Sequence, residues 1–398
     1  MSSISVRVVS QPDELENLRD VWDSILESSV NNKCIYLTYE WVTAWWRHFG
    51  DKCRLNIVLL QKGGRTVGIF PLQKRICRLG MLRFTVLETI GAVNCNYLGF
   101  YATDSPGADQ AVDVFFDYLQ KEIIDANIVV RFNLVPDDCV IIKQMYPWLS
   151  GLPAKLLCDE KTVTIAPYIP ISTDWNSYFA SLGPYTRKRL RRLHRMAELN
   201  KNIGYGRFHY HDLDRAINCL FDLHIKRWQS VHIRSLFKQQ AYRKFYRQIA
   251  ETFMKRNWLH ISYLKVKDTI CCIHYSYQYD NKLYAATVAR DLSYNKLEIG
   301  HLHELQSIRD AFQKGFKEYD FLQGDEAYKF YWTRKYRRYL RFIIIKRTPL
   351  SRLRMLFIKM CLFLIQFINN KHSFRELIAI VSLNISNRRQ KKQMALNL

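Results

Sequence analysis

The segment Tyr319-Asp-Phe-Leu-Gln-Gly324-Asp-Glu-Ala-Tyr-Lys329-Phe-Tyr-Trp332 concentrates more reactive side chains than any other part of the chain. Tyr319, Asp320 and Phe321 read as a buried strand that runs into Gly324. Two acids, Asp325 and Glu326, follow, and then Tyr328, Lys329 and Trp332. Strand ends are where α/β sheets present functional groups. A carboxylate there can accept a proton, and a lysine among aromatics can orient an anionic substrate. The same run also reads as a charged turn between two elements. A second candidate is the stretch Asn295-Lys-Leu-Glu-Ile-Gly300-His-Leu-His-Glu304, which opens a helix near Gly300 and closes it near Gly315. A small residue at a helix start lets a phosphate approach free backbone N–H groups, where the helix dipole favours an anion. The third is Gly183-Pro-Tyr-Thr-Arg187-Lys-Arg-Leu190-Arg-Arg-Leu193-His-Arg-Met196, with Leu190, Leu193, Met196 and Ala197 on one helical face and arginines on the other. That face reads either as an anion-binding patch or as solvated charge.

Histidines suggest a metal at first sight. His209 and His211 would share a face of a strand, whereas His301 and His303 on a helix would not. Neither pair has an acid or cysteine placed as a third ligand, so no metal site is expected. No G-x-S-x-G, H-E-x-x-H, Walker A or G-x-G-x-x-G pattern occurs. This removes the commonest hydrolase, zincin, nucleotide triphosphatase and dinucleotide readings.

The elements that must carry these residues repeat. At a shift of 204 residues, Leu55-Asn-Ile-Val-Leu-Leu60 aligns with Leu259-His-Ile-Ser-Tyr-Leu264, and Thr66-Val-Gly-Ile69 with Ile270-Cys-Cys-Ile273. Both copies read as strand, polar turn, strand. An aromatic-rich helix precedes each hairpin, at 39–49 and 242–257. A strand, a helix and a strand follow each, at 96–101, 107–122 and 128–134 and at 283–289, 300–314 and 319–322. The stretch 153–174, with three prolines and no long period, reads as a linker between halves. Residues 355–368 are apolar apart from Lys359 and Gln366. They suit either a helix packed on the body or an interfacial helix with basic flanks.

Length and composition agree with this plan. The chain has 398 residues with 48% hydrophobic and 14% aromatic content, enough for two packed domains and too apolar for disorder. Ten cysteines without a C-x-x-C pair read as reduced thiols, and the expected location is the cytoplasm, with the inner face of the membrane as an extension. No basic-then-apolar leader and no apolar run long enough to span a bilayer is read at either end. Of the net charge of +24, +15 lies from Arg334 onward and +6 within 187–195, which leaves the rest at +3. A near-neutral body with two basic patches points to an anionic partner: a phosphorylated cofactor, anionic lipid or RNA.

Residues 175–332 resemble the C-terminal half of the GNAT-like acetyltransferases of the cellulose-biosynthesis CelD type, relatives of the FemAB peptidoglycan aminoacyltransferases. The resemblance rests on Tyr185-Thr-Arg-Lys-Arg-Leu-Arg-Arg, on Lys226-Arg-Trp228, on the turn at Lys267-Asp268 and on the strand Tyr284-Ala-Ala-Thr. It rests most on the ending Asp320-Phe321, Gly324, Glu326, Tyr328-Lys329 and Trp332. The first half adds Glu40-Trp41, Trp45-Trp46 and Val67-Gly-Ile-Phe-Pro71-Leu72, so most of 34–345 is covered. Where the family has Ser-Pro at a helix start, this chain has Glu298-Ile299. A carboxylate beside a pyrophosphate is repulsive unless it points away.

The resemblance implies an α/β (α+β) fold of two tandem GNAT-like lobes, each a mixed, partly antiparallel sheet flanked by helices, plus a basic helical C-terminal tail. The implied domains are 1–165, 166–345 (acyl-donor binding) and 346–398. The implied activity is transfer of an acetyl or other acyl group from acyl-CoA to an amine on an amino sugar or cell-envelope precursor. Thr287, Val288, Ile299, Gly300, His301 and Leu302 would hold the acyl-CoA. Asp320 and Glu326, with His274 in reserve, would take the amine proton. Arg187, Arg191, Trp228, Tyr328, Lys329 and Trp332 would bind the acceptor. Competing implications are an aminoacyl-tRNA-dependent transferase and a non-catalytic scaffold that binds RNA or a membrane surface.

Overall fold

The computed structural model describes residues 3–29, 33–79, 82–91, 99–101, 108–152, 154–349 and 351–369. Two compact units form. One contains the chain up to Ile165 and the returning segment from Arg337; the other runs Ala166–Tyr336.

Unit 1 follows the order β1 (Ile4–Val9), α1 (Pro12–Glu16), α2 (Arg19–Ser28), α3 (Tyr39–Phe49), β2 (Cys53–Lys62), β3 (Arg65–Leu79), β4 (Leu82–Thr89), β5 (Phe100–Tyr101), α4 (Ala108–Asp125), β6 (Val129–Pro136), α5 (Val140–Ser150) and β7 (Leu156–Pro170). The strands pair in the order β1-β2-β3-β4-β6, and β5 lies off this path on β3. Along this path β4 and β6 pair in parallel, over Val86↔Val129 and Leu87↔Val130. Alternation along each strand divides the core between two faces. Leu87, Val130, Phe132, Leu340, Phe342 and Ile344 pack with α4 and α5, where Phe70 stacks on Phe115 at 3.6 Å. Val86, Val129, Ile343 and Ile345 face the other way.

Unit 2 continues with α6 (Trp175–Ser181), α7 (Pro184–Leu199), β8 (Ile203–Arg207), α8 (Leu213–Gln229), α9 (Gln240–Lys255), β9 (Leu259–Val266), β10 (Thr269–Tyr279), β11 (Lys282–Arg290), α10 (Ile299–Gln313) and β12 (Glu318–Asp320). Its sheet runs from residues 168–170 of β7 through β12-β11-β10-β9-β8. The helices α7 and α10 cover one face through Leu190, Leu193, Ile299, Leu302 and Ile308. On the other, Tyr246 meets Tyr275 at 5.6 Å and Phe253 meets Tyr277 at 5.3 Å. The chain then returns to unit 1 as β13 (Tyr336–Lys346), antiparallel to β6, and α11 (Ser351–Asn369).

The repeat in the sequence is a repeat in space. Each unit contains an antiparallel hairpin (β2-β3; β9-β10), a third strand (β4; β11), a helix (α4; α10) and a strand parallel to the third (β6; β12). The 96–98 part of the first-half strand lies outside the described residues, as does the stretch 102–107 before α4.

Two expectations change. The stretch 153–174 is mostly strand, not linker: β7 occupies it from Leu156 to Pro170. Its prolines misled the reading, yet at Pro167 the chain needs only a carbonyl, which accepts from the Phe321 N–H at 3.1 Å. The second unit also ends at Tyr336, earlier than 345, because β13 pairs with β6. The start of the tail is packed on the body: Met355, Ile358 and Cys361 of α11 are buried against Cys77, Val86, Val129, Ile343 and Ile345. Residues 370–398 of the tail lie outside the described residues. No helix among the described residues is long and apolar enough to cross a membrane.

Candidate active site

The parallel pair β11/β12 is short. Its register covers Lys282↔Glu318, Leu283↔Tyr319 and Tyr284↔Asp320 and then stops, while β11 continues to Arg290. On the other side of β11, Tyr275 pairs with Thr287 and Tyr277 with Tyr284, so Ala285 and Ala286 stand opposite Ser276 alone. This is a bulge on β11 at the point where its parallel neighbour leaves. Residues 285–288 are half-buried on both faces, although the strand is internal to the sheet. Ala285 and Ala286 are small and their ladder is interrupted, so a ligand can approach the backbone here.

Beyond β11 the chain turns through 291–298 into α10. The Leu302 N–H donates to Glu298 O, which makes Glu298 the N-cap. The N–H groups of Ile299, Gly300 and His301 therefore have no partner within the helix. A Cβ on Gly300 would lie 3.2 Å from Arg290 Cδ and Nη1, so the end of β11 touches this first turn. Burial and the neighbouring Arg290 charge lower the pKa of Arg227. Two cations thus meet beside free backbone donors, an arrangement suited to a phosphate.

Glu298 does not oppose an anion there. Its carboxylate accepts from Arg189 at 3.0 Å (Nε) and also from Arg192, both on α7. Burial would raise its pKa, but the two guanidiniums hold it below the usual range. The basic helix α7 is therefore partly an internal electrostatic partner of α10.

The structure brings together some predicted residues and gives others different tasks. Tyr328 feels the charges of Glu304, Glu326, Arg227 and Arg290, so it stands among them, and burial pushes its pKa well up. Glu326 keeps a 47% exposed side chain. The side chains of Ile299 and Leu302 are buried, and the Leu302 N–H is taken up by Glu298 O, so only Ile299 of the two keeps a backbone donor without a helical partner. His301, lowered to about 4 by burial and by Arg189, sits 5.7 Å from Tyr331. Thr287 Oγ1 meets the Tyr246 hydroxyl at 3.3 Å, and Val288 packs against the core.

Asp320 is a correction. It is buried and its Oδ1 accepts the Leu322 N–H at 2.7 Å, fixing a left-handed turn at Leu322 (φ 55°). Lys329 is another. Its ammonium is buried and donates to the carbonyls of Leu322 (3.2 Å), Gln323 (2.9 Å) and Gly324 (3.3 Å), with Glu326 at 2.9 Å. It pins the turn in place of an acceptor. His274 has no exposed surface, and burial lowers it to about 3. Trp332 is core, and Trp228 Nε1 donates to His224 Nε2 at 2.9 Å. Arg187 donates to Ala180 O at 2.6 Å and Arg191 lies over Phe179, while their neighbours Arg189 and Arg192 on the same helix pair with Glu298. Sequence reasoning missed Arg290 and Glu304. The first was findable as a cation ending the strand before the helix; the second had no local signal.

Unit 1 has the same splay, and an ion cluster lines it. Glu88, next after the last parallel pair, is buried between Arg75 and Arg131, the latter at 2.5 Å.

Residues 185–330 match the family model described as an acetyltransferase (GNAT) domain. That segment is a GNAT-type domain, and the protein is an acyltransferase. Among solved structures, FemX is 12% identical with a TM-score of 0.57, covering 88% of this chain and 99% of that one. A conserved protein of unknown function from Bacteroides thetaiotaomicron is 9% identical with a TM-score of 0.54, covering 86% and 100%. A tandem GNAT protein from the clavulanic acid biosynthesis pathway is 10% identical with a TM-score of 0.47, covering 87% and 99%. No curated protein sequence matches the chain. The architecture is two tandem GNAT-like lobes, each with a mixed sheet flanked by helices.

Proposed function

We propose that unit 2 binds acyl-CoA at the β11/β12 splay and transfers its acyl group to an amine. The observation that supports this most is the short parallel register ending at Tyr284 and Asp320, with a bulge beside it and the first turn of α10 at its mouth. Backbone N–H groups of 299–301, Arg290 and Arg227 take the pyrophosphate. The backbone freed at Ala285 and Ala286 receives the pantetheine arm and offers donors to the developing oxyanion. Glu326, directly or through water, accepts the amine proton. Tyr328 keeps its own proton and donates a hydrogen bond to the departing thiolate. The acceptor we favour is an amino sugar or cell-envelope precursor, after the CelD-type resemblance. The exposed Leu353, Leu356 and Met360 on α11, beside Arg352, suit an anionic membrane surface at which such a precursor is met.

Coenzyme A itself is the first probe, because the pyrophosphate site does not depend on the acyl group. At ligand one hundred times above Kd, binding adds about 2.7 kcal/mol of stability. The midpoint of thermal unfolding is expected to rise with coenzyme A and acetyl-CoA, and Gly300→Asp or Arg290→Ala should remove the rise. A rise with bulk tRNA alone would move the donor to an aminoacyl-tRNA, and no rise with any of the three would refute both.

A further inference from the structure

A second set of reactive side chains gathers between β10 and α10 and takes no part in the proposed acyl-CoA site. Cys272 and His274 are two apart on β10, so both point to the face that α10 covers. His303 comes down from α10 to meet them. One ligand atom from each of these three residues lies within 4.8 Å of the other two. Their rings and thiol are buried to 1% exposure or less. His274 and His303 stack with ring centroids 3.9 Å apart.

The hydrogen bonding is incomplete in a particular way. Nε2 of His303 shares a hydrogen bond with Ser262 Oγ at 2.9 Å, which leaves Nδ1 without a partner. Neither ring nitrogen of His274 has a partner. Buried polar groups are normally paired, so three orphaned imidazole nitrogens in one place call for an explanation. The buried carboxylate of Glu304 is adjacent: its Oε2 is 3.9 Å from His274 Nε2, and its Oε1 accepts from the Tyr319 hydroxyl at 2.7 Å.

We propose that Cys272, His274 and His303 bind a divalent zinc-type cation, with Glu304 as the fourth ligand. One sulfur, two imidazole nitrogens and a carboxylate oxygen suit tetrahedral Zn²⁺. The charges balance: a thiolate and a carboxylate neutralise the dication, and two neutral rings complete the shell. Ser262 and Tyr319 orient the outer atoms of His303 and Glu304, as partners behind metal ligands commonly do. On binding, the S–H bond of Cys272 breaks, the S–metal bond forms, and the proton leaves to solvent. With four protein ligands and no exposed edge the site is structural, tying β10 to the helix whose first turn borders the cleft. Reading the histidines by spacing within one element missed it, because His274 and His303 are 29 positions apart in the chain and on different elements.

Co²⁺ is the probe. The full chain, stripped of metal with a chelator and then titrated with Co²⁺, should show the visible bands of a tetrahedral site and a thiolate-to-cobalt charge-transfer band, saturating at one equivalent. Zn²⁺ should bleach both. Cys272→Ala should lose the charge-transfer band, while Cys271→Ala, whose thiol donates to Leu264 O, should keep it. Because a core variant can fail to fold, the wild-type chain is tested in parallel by total metal analysis after dialysis against buffered Zn²⁺. One zinc per chain supports the site. Absence of zinc together with absence of the thiolate band overturns it, as does a band that survives in folded Cys272→Ala.

Discussion

Asp320 accepts the Leu322 N–H, and Lys329 donates to three successive carbonyls beginning with that of Leu322. Between them they hold the backbone that carries Glu326 and Tyr328. Asp320→Ala leaves a buried N–H unsatisfied and should cost about 1–3 kcal/mol. Asp320→Asn keeps an acceptor oxygen and should cost less, with the acyl-transfer rate of the folded enzyme changed little. A large loss of rate in a folded Asp320→Asn protein would restore Asp320 as the base. Lys329→Met removes charge-assisted donors from buried carbonyls and should cost about 1.5–3 kcal/mol in urea denaturation. Gly324, at φ 120°, is the glycine this turn requires, because residues with a Cβ rarely adopt that backbone conformation.

At the scale of elements, α11 illustrates how one helix meets two environments. Ile358 is buried at 2% exposure, whereas Leu356 is 65% exposed. Ile358→Ala should therefore destabilise by about 2–5 kcal/mol, and Leu356→Ala should stay within about 0.5 kcal/mol. Equal costs in chemical denaturation would contradict the docking of α11 on unit 1. The helices α7 and α10 form the other instructive pair. Arg189 and Arg192 reach 109 and 106 positions along the chain to Glu298. Glu298→Gln should release both arginines and tighten coenzyme A binding, and isothermal titration would show an unchanged or weaker affinity if these arginines do not border the anion site.

For the whole molecule, buried histidines set the acid limit. His224 in unit 2 is held at about 4 by burial and by the Arg227 charge, against an ordinary value of 6.5. The folded state prefers the neutral ring. Its contribution is therefore complete above pH 6.5 and is lost as pH falls from 6.5 towards 4. The loss amounts to about 3 kcal/mol at most for a shift of this size. Carboxylates held low, such as Glu298, lose their contribution only below about pH 4.5. Unfolding free energies measured at pH 7.5 and 5 should differ, and the difference should shrink in His224→Gln. A variant that keeps the full pH dependence would assign it to other groups.

The alternation of apolar and polar residues was enough to place both hairpins, the strand-helix-strand order after each and the buried face of α7 at Leu190 and Leu193. Those features are local: period two or 3.6 and turn chemistry act within a few residues. The Tyr319–Trp332 segment was legible as a candidate site, since its composition is unusual wherever it folds. Which of its side chains remain available was not legible. Asp320 and Lys329 are consumed by backbone groups, and only the three-dimensional turn brings those groups to them. The same holds for the neutralisation of Glu298 by α7, the gathering of Cys272, His274 and His303, and the return of β13 and α11 to unit 1. Each depends on contacts between residues about thirty to two hundred positions apart. Such contacts are chosen by how whole elements bury their apolar faces, a quantity that no local stretch of sequence contains.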